Sequence, residues 1–135
     1  MPRITGLSHL SLSVRDRDAS VRWYGDVLGF TPYARLDGDD RLETICVHPA
    51  GPTIVGFQQH RDADGAPFDH RRTGLDHLAF AVADLDELRA WQDRLADLGV
   101  THSPIAETDF GHVLCFRDPD GVQLELFAMS PAGAG

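Results

Sequence analysis

The stretch Thr73–Val82, TGLDHLAFAV, repeats a stretch near the start of the chain, Thr5–Val14, TGLSHLSLSV. The two histidines, His9 and His77, are 68 residues apart, and the same offset relates the two tryptophans. A helix ending in a glycine and a cysteine-containing strand then follow each copy in the same order. Self-similarity at a fixed offset is the signature of a duplicated unit, so we interpret the chain as two copies of one unit of about 60 residues.

Each copy predicts the order strand, helix and three strands, because alternating hydrophobicity comes first and helical periodicity follows it. The sequence therefore predicts an α+β fold of two tandem βαβββ modules within one domain, residues 1–130. Module 1 spans 1–60, a polar linker rich in Gly and Pro spans 61–72, module 2 spans 73–130, and 131–135 form a flexible tail.

The helix of module 2 is the clearest element, since Leu88, Trp91, Leu95 and Leu98 recur at helical spacing. An aspartate is expected to cap the start of each helix, Asp16 or Asp18 in module 1 and Asp84 or Asp86 in module 2. Gly29 and Gly99 are expected to end the two helices in a left-handed turn. The last three strands are predicted near Thr101–Ala106, His112–Phe116 and Val122–Ala128.

Composition narrows the possible partners. The chain has 135 residues, with 12 Lys and Arg against 21 Asp and Glu, a formal net charge of −9. An acidic surface repels phosphate backbones, which makes nucleic acid an unfavourable partner. No apolar run is long enough to span a bilayer and no signal-peptide core is visible, so we expect a cytoplasmic protein with no membrane partner.

The first strand of each module has one apolar face and one unusual face. The unusual face carries a histidine followed only by small residues, Ser11 and Ser13 in module 1 and alanines that include Ala79 in module 2. A solvated face would normally carry Lys, Glu or Arg, whereas small residues beside a histidine leave room for a ligand. In the last strand, Glu125 and Phe127 alternate with buried leucines and are placed on the same kind of face. We therefore expect Ser11, Ser13, Ala79 and Phe127 to line a substrate pocket.

Three of these residues form a candidate metal site. A single histidine on a strand is more often structural, and a single glutamate on a last strand is more often solvated. Two repeat-equivalent histidines and an inward carboxylate are better explained by a divalent cation, because an unpaired carboxylate in an apolar setting is costly. His9, His77 and Glu125 would form a facial triad with open positions. Such nitrogen and oxygen donors accept Fe, Mn, Zn, Ni or Co, so the identity of the metal stays open.

A fourth protein ligand is an open question. The position in module 1 that matches Glu125 is Gly56 or Val55, depending on the offset, and neither side chain can bind a metal. The amide oxygen of Gln58 could coordinate, but it lies two or three residues away from the position that the repeat predicts.

The motifs GLSHLSLSV, VRWYGDVLGF, GLDHLAFAV and FRDPDGVQLELF together resemble the vicinal oxygen chelate superfamily, also called the glyoxalase, bleomycin resistance and extradiol dioxygenase group. The resemblance covers nearly the whole chain. It implies a cupped mixed sheet with the helices outside, a metal in the cup, and ligands at His9, His77 and Glu125. It also implies a small-molecule substrate and a homodimer, in which a site can combine residues of two chains.

The resemblance also compares this chain with individual branches of the superfamily. Glyoxalase I and methylmalonyl-CoA epimerase resemble four-ligand versions, from which Gly56 departs. Fosfomycin-modifying thiol transferases are similar in their three ligands but carry a lysine and a serine-rich cation site in a loop of module 2. The matching stretch here, Ser103–Phe116, has no lysine and one serine, which argues against fosfomycin modification. Extradiol dioxygenases add a base histidine and a tyrosine, for which His112 and Tyr24 or Tyr33 are candidates.

Three functional hypotheses follow. The first is a glyoxalase-like lyase, isomerase or transferase in which the metal acts as Lewis acid on a small oxygenated metabolite. Glu125 and His112 are the expected catalytic residues, and Gln58 or His60, Glu107 and Asp109 are further candidates for a general base. The second hypothesis is an Fe(II) extradiol dioxygenase. The third is a protein that binds or sequesters a small molecule without chemistry.

Overall fold

The computed structural model describes residues 1–131 and divides the chain into two compact units, Met1–Pro67 and the chain from Phe68 onward. The boundary falls inside the predicted linker 61–72. Four predicted tail residues, 132–135, lie outside the described residues.

The first unit contains one helix and a four-stranded sheet. In chain order the elements are β1 (Leu10–Ser13), α1 (Arg17–Trp23), a π-helical turn (Tyr24–Leu28), β2 (Thr31–Arg35), β3 (Arg41–Val47) and β4 (Ile54–His60). The strand order is β1-β4-β3-β2, with β1 parallel to β4 and the other neighbours antiparallel.

The second unit repeats this arrangement. Its elements are β5 (His77–Ala81), α2 (Leu85–Asp97), β6 (Ala106–Thr108), β7 (Gly111–Arg117) and β8 (Gln123–Met129). The strand order β5-β8-β7-β6, with β5 parallel to β8, matches that of the first unit. The predicted α+β fold of two tandem βαβββ modules is therefore confirmed.

The helix starts follow from the sequence. The side chain of Asp16 accepts a hydrogen bond from the backbone N–H of Ala19, and Asp84 does the same for Glu87, so each aspartate caps the helix that follows it. Gly29 ends the π-helical turn at φ 87°. This left-handed conformation is open to glycine and unfavourable for residues that carry a Cβ.

Each helix packs against one face of its own sheet, which we call the helix face; the opposite side is the open face. In unit 1, Leu12 and Phe57 are buried on the helix face, and the Tyr24 ring centroid lies 4.6 Å from that of Phe57. In unit 2, Leu88 and Leu95 of α2 are fully buried. Burying one such leucine contributes about 1.5–3 kcal/mol, so these contacts determine which face of each sheet stays open.

Two details differ from the sequence predictions. Leu98 is 46% exposed because α2 ends at Asp97, so it does not belong to the buried stripe. The sixth strand is Ala106–Thr108 and not Thr101–Ala106; the earlier segment makes only an isolated bridge between His102 and Phe116. Pro104 explains the interruption, because it lacks the N–H that a strand ladder needs.

Candidate metal site

The open face of unit 2 brings His77 and Glu125 together. His77 pairs with Gln123, and Ala79 pairs with Glu125, so the histidine and the glutamate occupy adjacent rows of the same face. His77 Nε2 lies 3.7 Å from Glu125 Oε2. A divalent ion binds such donors at about 2.0–2.2 Å, so both atoms can reach one ion between them. That His77 and Glu125 are metal ligands stays a prediction, and the structure places the two side chains next to each other.

Glu125 is held in place and largely withdrawn from water. Its side chain is only 12% exposed, against 44% for that of His77. The side-chain amide of Gln123 donates a hydrogen bond of 2.8 Å to Glu125 Oε2. That bond fixes the orientation of the carboxylate while its other oxygen keeps its lone pairs for a further partner.

Asp76 orients the His77 ring. Its Oδ1 lies 2.7 Å from His77 Nδ1, so Nδ1 donates and Nε2 is the nitrogen left to accept a metal. The hydrogen bond to Asp76 raises the pKa of His77 above its usual value, burial opposes the rise, and the charge of Glu125 adds to it. Protons therefore compete with a metal for this nitrogen.

Cys115 is the cross-strand neighbour of Glu125 on β7. Burial raises the pKa of its thiol, and the negative charge of Glu125 raises it further. The thiol therefore stays protonated near neutral pH and carries no charge beside the carboxylate. The predicted pocket residues Ala79 and Phe127 occupy the same open face as Glu125.

In unit 1, His9 lies immediately before β1 and is exposed, with its Nδ1 hydrogen-bonded to Ser8 Oγ at 3.0 Å. Ser11 and Ser13 follow on the open face and are also exposed. The small side chains predicted to line a pocket therefore occupy the open faces of both sheets.

The strand register determines which residue of unit 1 matches Glu125. Gly56 pairs with Ser11 as Glu125 pairs with Ala79, so Gly56 is the equivalent position. Gln58, the candidate fourth ligand, pairs with Ser13 and matches Phe127 instead. Its side chain shares the open face, one row beyond the position that would complete a repeat-related ligand set.

Glu43 is a candidate functional residue that the sequence prediction missed. It pairs with Gln58 on the open face, yet it is only 9% exposed. A Cβ added at Gly56 would lie 3.7 Å from Glu43 Oε2 and 2.8 Å from Ser11 Oγ. Because glycine has no side chain, the Glu43 carboxylate can occupy the space next to this position. Within residues 1–131 no hydrogen bond or ion pair to its carboxylate is present, and neither carboxylate oxygen is completely buried.

Three other candidates from the sequence are His112 in unit 2 and Tyr24 or Tyr33 in unit 1. His112 pairs with Ala128, so strand alternation places it on the helix face of unit 2, and the structure does not bring it to Glu125. Tyr24 is fully buried in the core of unit 1, while Tyr33 is exposed. These positions give no support to a catalytic His112 beside Glu125 or to a catalytic Tyr24.

Within the described residues, no group of three or more His, Cys, Asp or Glu side chains converges closely enough to hold a metal ion. In unit 2, the candidate ligands that lie together are the two of the pair described above, one nitrogen and one oxygen. In that same part of the chain, no helix has the length and apolar character needed to cross a membrane.

Comparison with known proteins adds independent information. The chain is 27% identical over 130 residues to the putative ring-cleaving dioxygenase MhqA of Bacillus subtilis, an alignment that covers 93% of this chain and 40% of MhqA. It is 30% identical over 129 residues to the glutathione transferase FosA of Serratia marcescens, which covers 96% of this chain and 84% of FosA.

Solved structures share the fold. A glyoxylase, bleomycin resistance protein and dioxygenase domain from Frankia sp. EAN1pec superposes with a TM-score of 0.87 at 37% identity, over 95% of this chain and all of that one. A mutant of the fosfomycin resistance protein FosX of Listeria monocytogenes, complexed with Mn(II) and a dihydroxypropylphosphonic acid, has a TM-score of 0.70 at 22% identity, over 95% and 93% of the two chains.

The family described as the glyoxalase, bleomycin resistance protein and dioxygenase superfamily matches residues 6–126. The match spans both βαβββ units and includes His9, His77 and Glu125, so the chain belongs to this superfamily.

Proposed function

We propose that the chain is a metal-dependent enzyme that uses one divalent cation as Lewis acid on a small oxygenated metabolite, in isomerase- or lyase-type chemistry. The observation that carries the proposal is the pair formed by His77 Nε2 and the shielded Glu125 carboxylate, 3.7 Å apart. A carboxylate withdrawn from water without a cation would carry a desolvation cost that a bound divalent ion removes.

Three ligands are proposed. His77 and Glu125 supply a nitrogen and an oxygen from unit 2, and His9 is proposed as the third on the basis of the repeat, from the same chain or from a second copy in a homodimer. Donors of this type suit Fe, Mn, Zn, Ni and Co. A metal is also supported by one relative of the same fold, whose structure was solved in complex with Mn(II).

When bound, the metal would polarise neighbouring substrate oxygens and stabilise a developing negative charge. The protein must supply the remaining functions. Asp76 keeps the His77 ring in one tautomer, and Gln123 keeps the Glu125 carboxylate oriented. Ala79 leaves volume on the same face for a substrate.

Proton transfer also needs a group, and Glu125 is the residue proposed for it. One oxygen of its carboxylate accepts from Gln123, and the other has no partner among the described residues, so it is available to a proton of a bound substrate. Of the other candidates on unit 2, His112 is on the helix face, and Glu107 and Asp109 are exposed at the edge of the unit.

The relatives suggest two alternatives. Ring cleavage is named for MhqA, of which this chain covers 40%, and its tyrosine candidates here are Tyr24, which is enclosed in the core, and Tyr33, which is exposed. Glutathione transfer is named for FosA and thiol transfer for a metallothiol transferase of Shouchella clausii, whereas this chain has none of the lysine expected of fosfomycin-modifying transferases. Isomerase- or lyase-type chemistry is the proposal because it needs only a Lewis acid, with neither redox-active iron nor that lysine.

Elemental analysis of protein purified without chelator tests the metal site. We expect about one transition metal ion per chain, and its loss in His77→Ala and Glu125→Ala. His70→Ala is the matched control, since His70 is an exposed histidine of unit 2 outside its strands. Full metal occupancy in both site variants would refute the site. Absence of metal in the wild-type protein, even after incubation with each candidate ion, would refute the metal-dependent reaction.

A further inference from the structure

Unit 2 contains a cavity of about 440 Å³ next to the candidate metal ligands His77 and Glu125. It lies between the segment that follows α2 and the strands β7 and β8. Its polar and ionisable lining residues are Thr101, His102, Ser103, Cys115, Arg117 and Gln123.

The strand register places this cavity beside the candidate metal ligands. Arg117 pairs with Gln123, and Gln123 pairs with His77, so the three side chains form one row across the open face. Neighbouring strands are about 4.8 Å apart, which puts the Arg117 backbone roughly 10 Å from that of His77. A small molecule can therefore contact both ends of the row at once.

The donors in the cavity are arranged for an anion. Arg117 Nη1 donates to the carbonyl of Gly121 at 3.1 Å, a bond that anchors the guanidinium and leaves its other N–H groups available. Gln123 uses one amide hydrogen on Glu125 and keeps a second. The bridge between His102 and Phe116 holds the segment after α2 against β7, and Thr101 on that segment lines the same cavity as Arg117.

The charge of the lining residues also favours an anion. Among the lining residues within 1–131, Arg117 is the one arginine and there is no carboxylate. Ser103 is committed elsewhere, since its Oγ donates to the Pro104 carbonyl at 2.8 Å and accepts from the Cys115 N–H at 3.0 Å. The cavity wall is thereby tied to β7, and the donors that remain for a ligand surround Arg117.

We propose that this cavity is a subsite for the oxyanion group of the substrate, a carboxylate or a phosphate, with Arg117 as its principal ligand and Thr101 and Gln123 as additional donors. A guanidinium binds such groups through paired N–H donors. The place of the subsite in a reaction rests on the proposed function: the substrate would carry an acidic group a few bonds from the oxygens presented to the metal. Anion binding by the cavity requires no metal.

The test uses metal-free, full-length protein and two probes, inorganic phosphate and acetate, at constant ionic strength. Backbone and arginine side-chain NMR signals are followed during titration. We expect saturable shifts at Thr101 and Arg117 with a dissociation constant of the order of 1 mM for at least one probe. Arg117→Gln should raise that constant at least tenfold, whereas Arg89→Gln, which alters an exposed arginine of α2 paired with Asp86, should leave it unchanged.

A second variant keeps the result interpretable if loss of the bond to Gly121 disturbs the adjoining turn. Thr101→Val removes one donor, leaves Arg117 intact, and should weaken binding about threefold or more. Unsaturable shifts spread over the surface, or an unchanged constant in both variants, would overturn the subsite. Anion binding seen only after metal loading would overturn it as well, because the anion would then be a ligand of the metal. Saturable binding to a chain that never takes up metal would sustain the subsite while refuting the proposed reaction.

Discussion

Replacing Glu43 by glutamine should stabilise the metal-free chain. The carboxylate is 9% exposed and has no partner within residues 1–131. Complete withdrawal of a polar group from water without a hydrogen bond costs about 1–3 kcal/mol in protein mutational data. The Glu43 carboxylate is withdrawn only in part, since neither oxygen is completely buried. Glutamine keeps the shape and removes the charge, so we expect the free energy of unfolding to rise by about 0.5–1 kcal/mol.

Urea denaturation of the two proteins after chelation measures this difference. Glu107→Gln is the matched control, because Glu107 is an exposed glutamate on a strand, and its replacement should change stability by less than about 0.5 kcal/mol. A loss of 1 kcal/mol or more in Glu43→Gln would show that the carboxylate has a stabilising partner and would refute the reasoning. Metal content should be unchanged, since Glu43 is not a proposed ligand.

Other outcomes follow from single positions. Gly111→Ala should lower the free energy of unfolding by at least about 3 kcal/mol in the same assay, because φ is 147° and a Cβ would lie 2.8 Å from a backbone Cα. Gly121→Ala, at φ 89° with open space around the residue, should lower it by only about 1–2 kcal/mol. Equal losses of stability in the two variants would contradict this account. Bonds from Arg17 lower the pKa of Asp37 to about 2, so the stability that wild type gains over Asp37→Asn should be complete above pH ~4 and disappear as pH falls through about 2; a difference that persists there would contradict it. Asp76→Asn should weaken metal affinity about tenfold in a competition titration with a chelating dye, and unchanged affinity would show that the following histidine needs no orienting partner.

Much of the fold was predictable because its determinants are local. Alternation in the two repeated strands identified the buried and open faces, and single aspartates marked the helix starts at Asp16 and Asp84. The weak points were local conflicts. Pro104 interrupts a stretch whose composition favours a strand, and Leu98 continues a helical pattern past the end of the helix itself.

The sequence predicted candidate site residues only at positions that the internal repeat or strand alternation singled out. His77 and Glu125 lie in strands in which apolar and other residues alternate, so the face of each residue was predictable. The parallel pairing of β5 with β8 then places the two side chains next to each other. Glu43 gave no comparable signal, since a glutamate within a strand is ordinarily solvated. Its burial depends on Gly56, which lies on the neighbouring strand and leaves an empty position there. Pairings between strands distant in sequence are not encoded in local pattern, so only the structure reveals this relationship.

The two units carry a carboxylate at different positions of their open faces. At equivalent register positions, unit 2 has Glu125 and unit 1 has Gly56, so the duplication did not preserve the carboxylate. Unit 1 instead carries Glu43 on the adjacent strand. Glu125 is oriented by a hydrogen bond from Gln123, as a ligand of a cation would need to be if the proposed metal site is correct. Glu43 has no such partner among the described residues. If a glutamate replaced Gly56, its side chain would meet Ser11 Oγ and approach Glu43, and the two carboxylates would repel each other unless a cation or a proton lay between them. The glycine at this position therefore permits two chemically different carboxylates in a chain built from one duplicated unit.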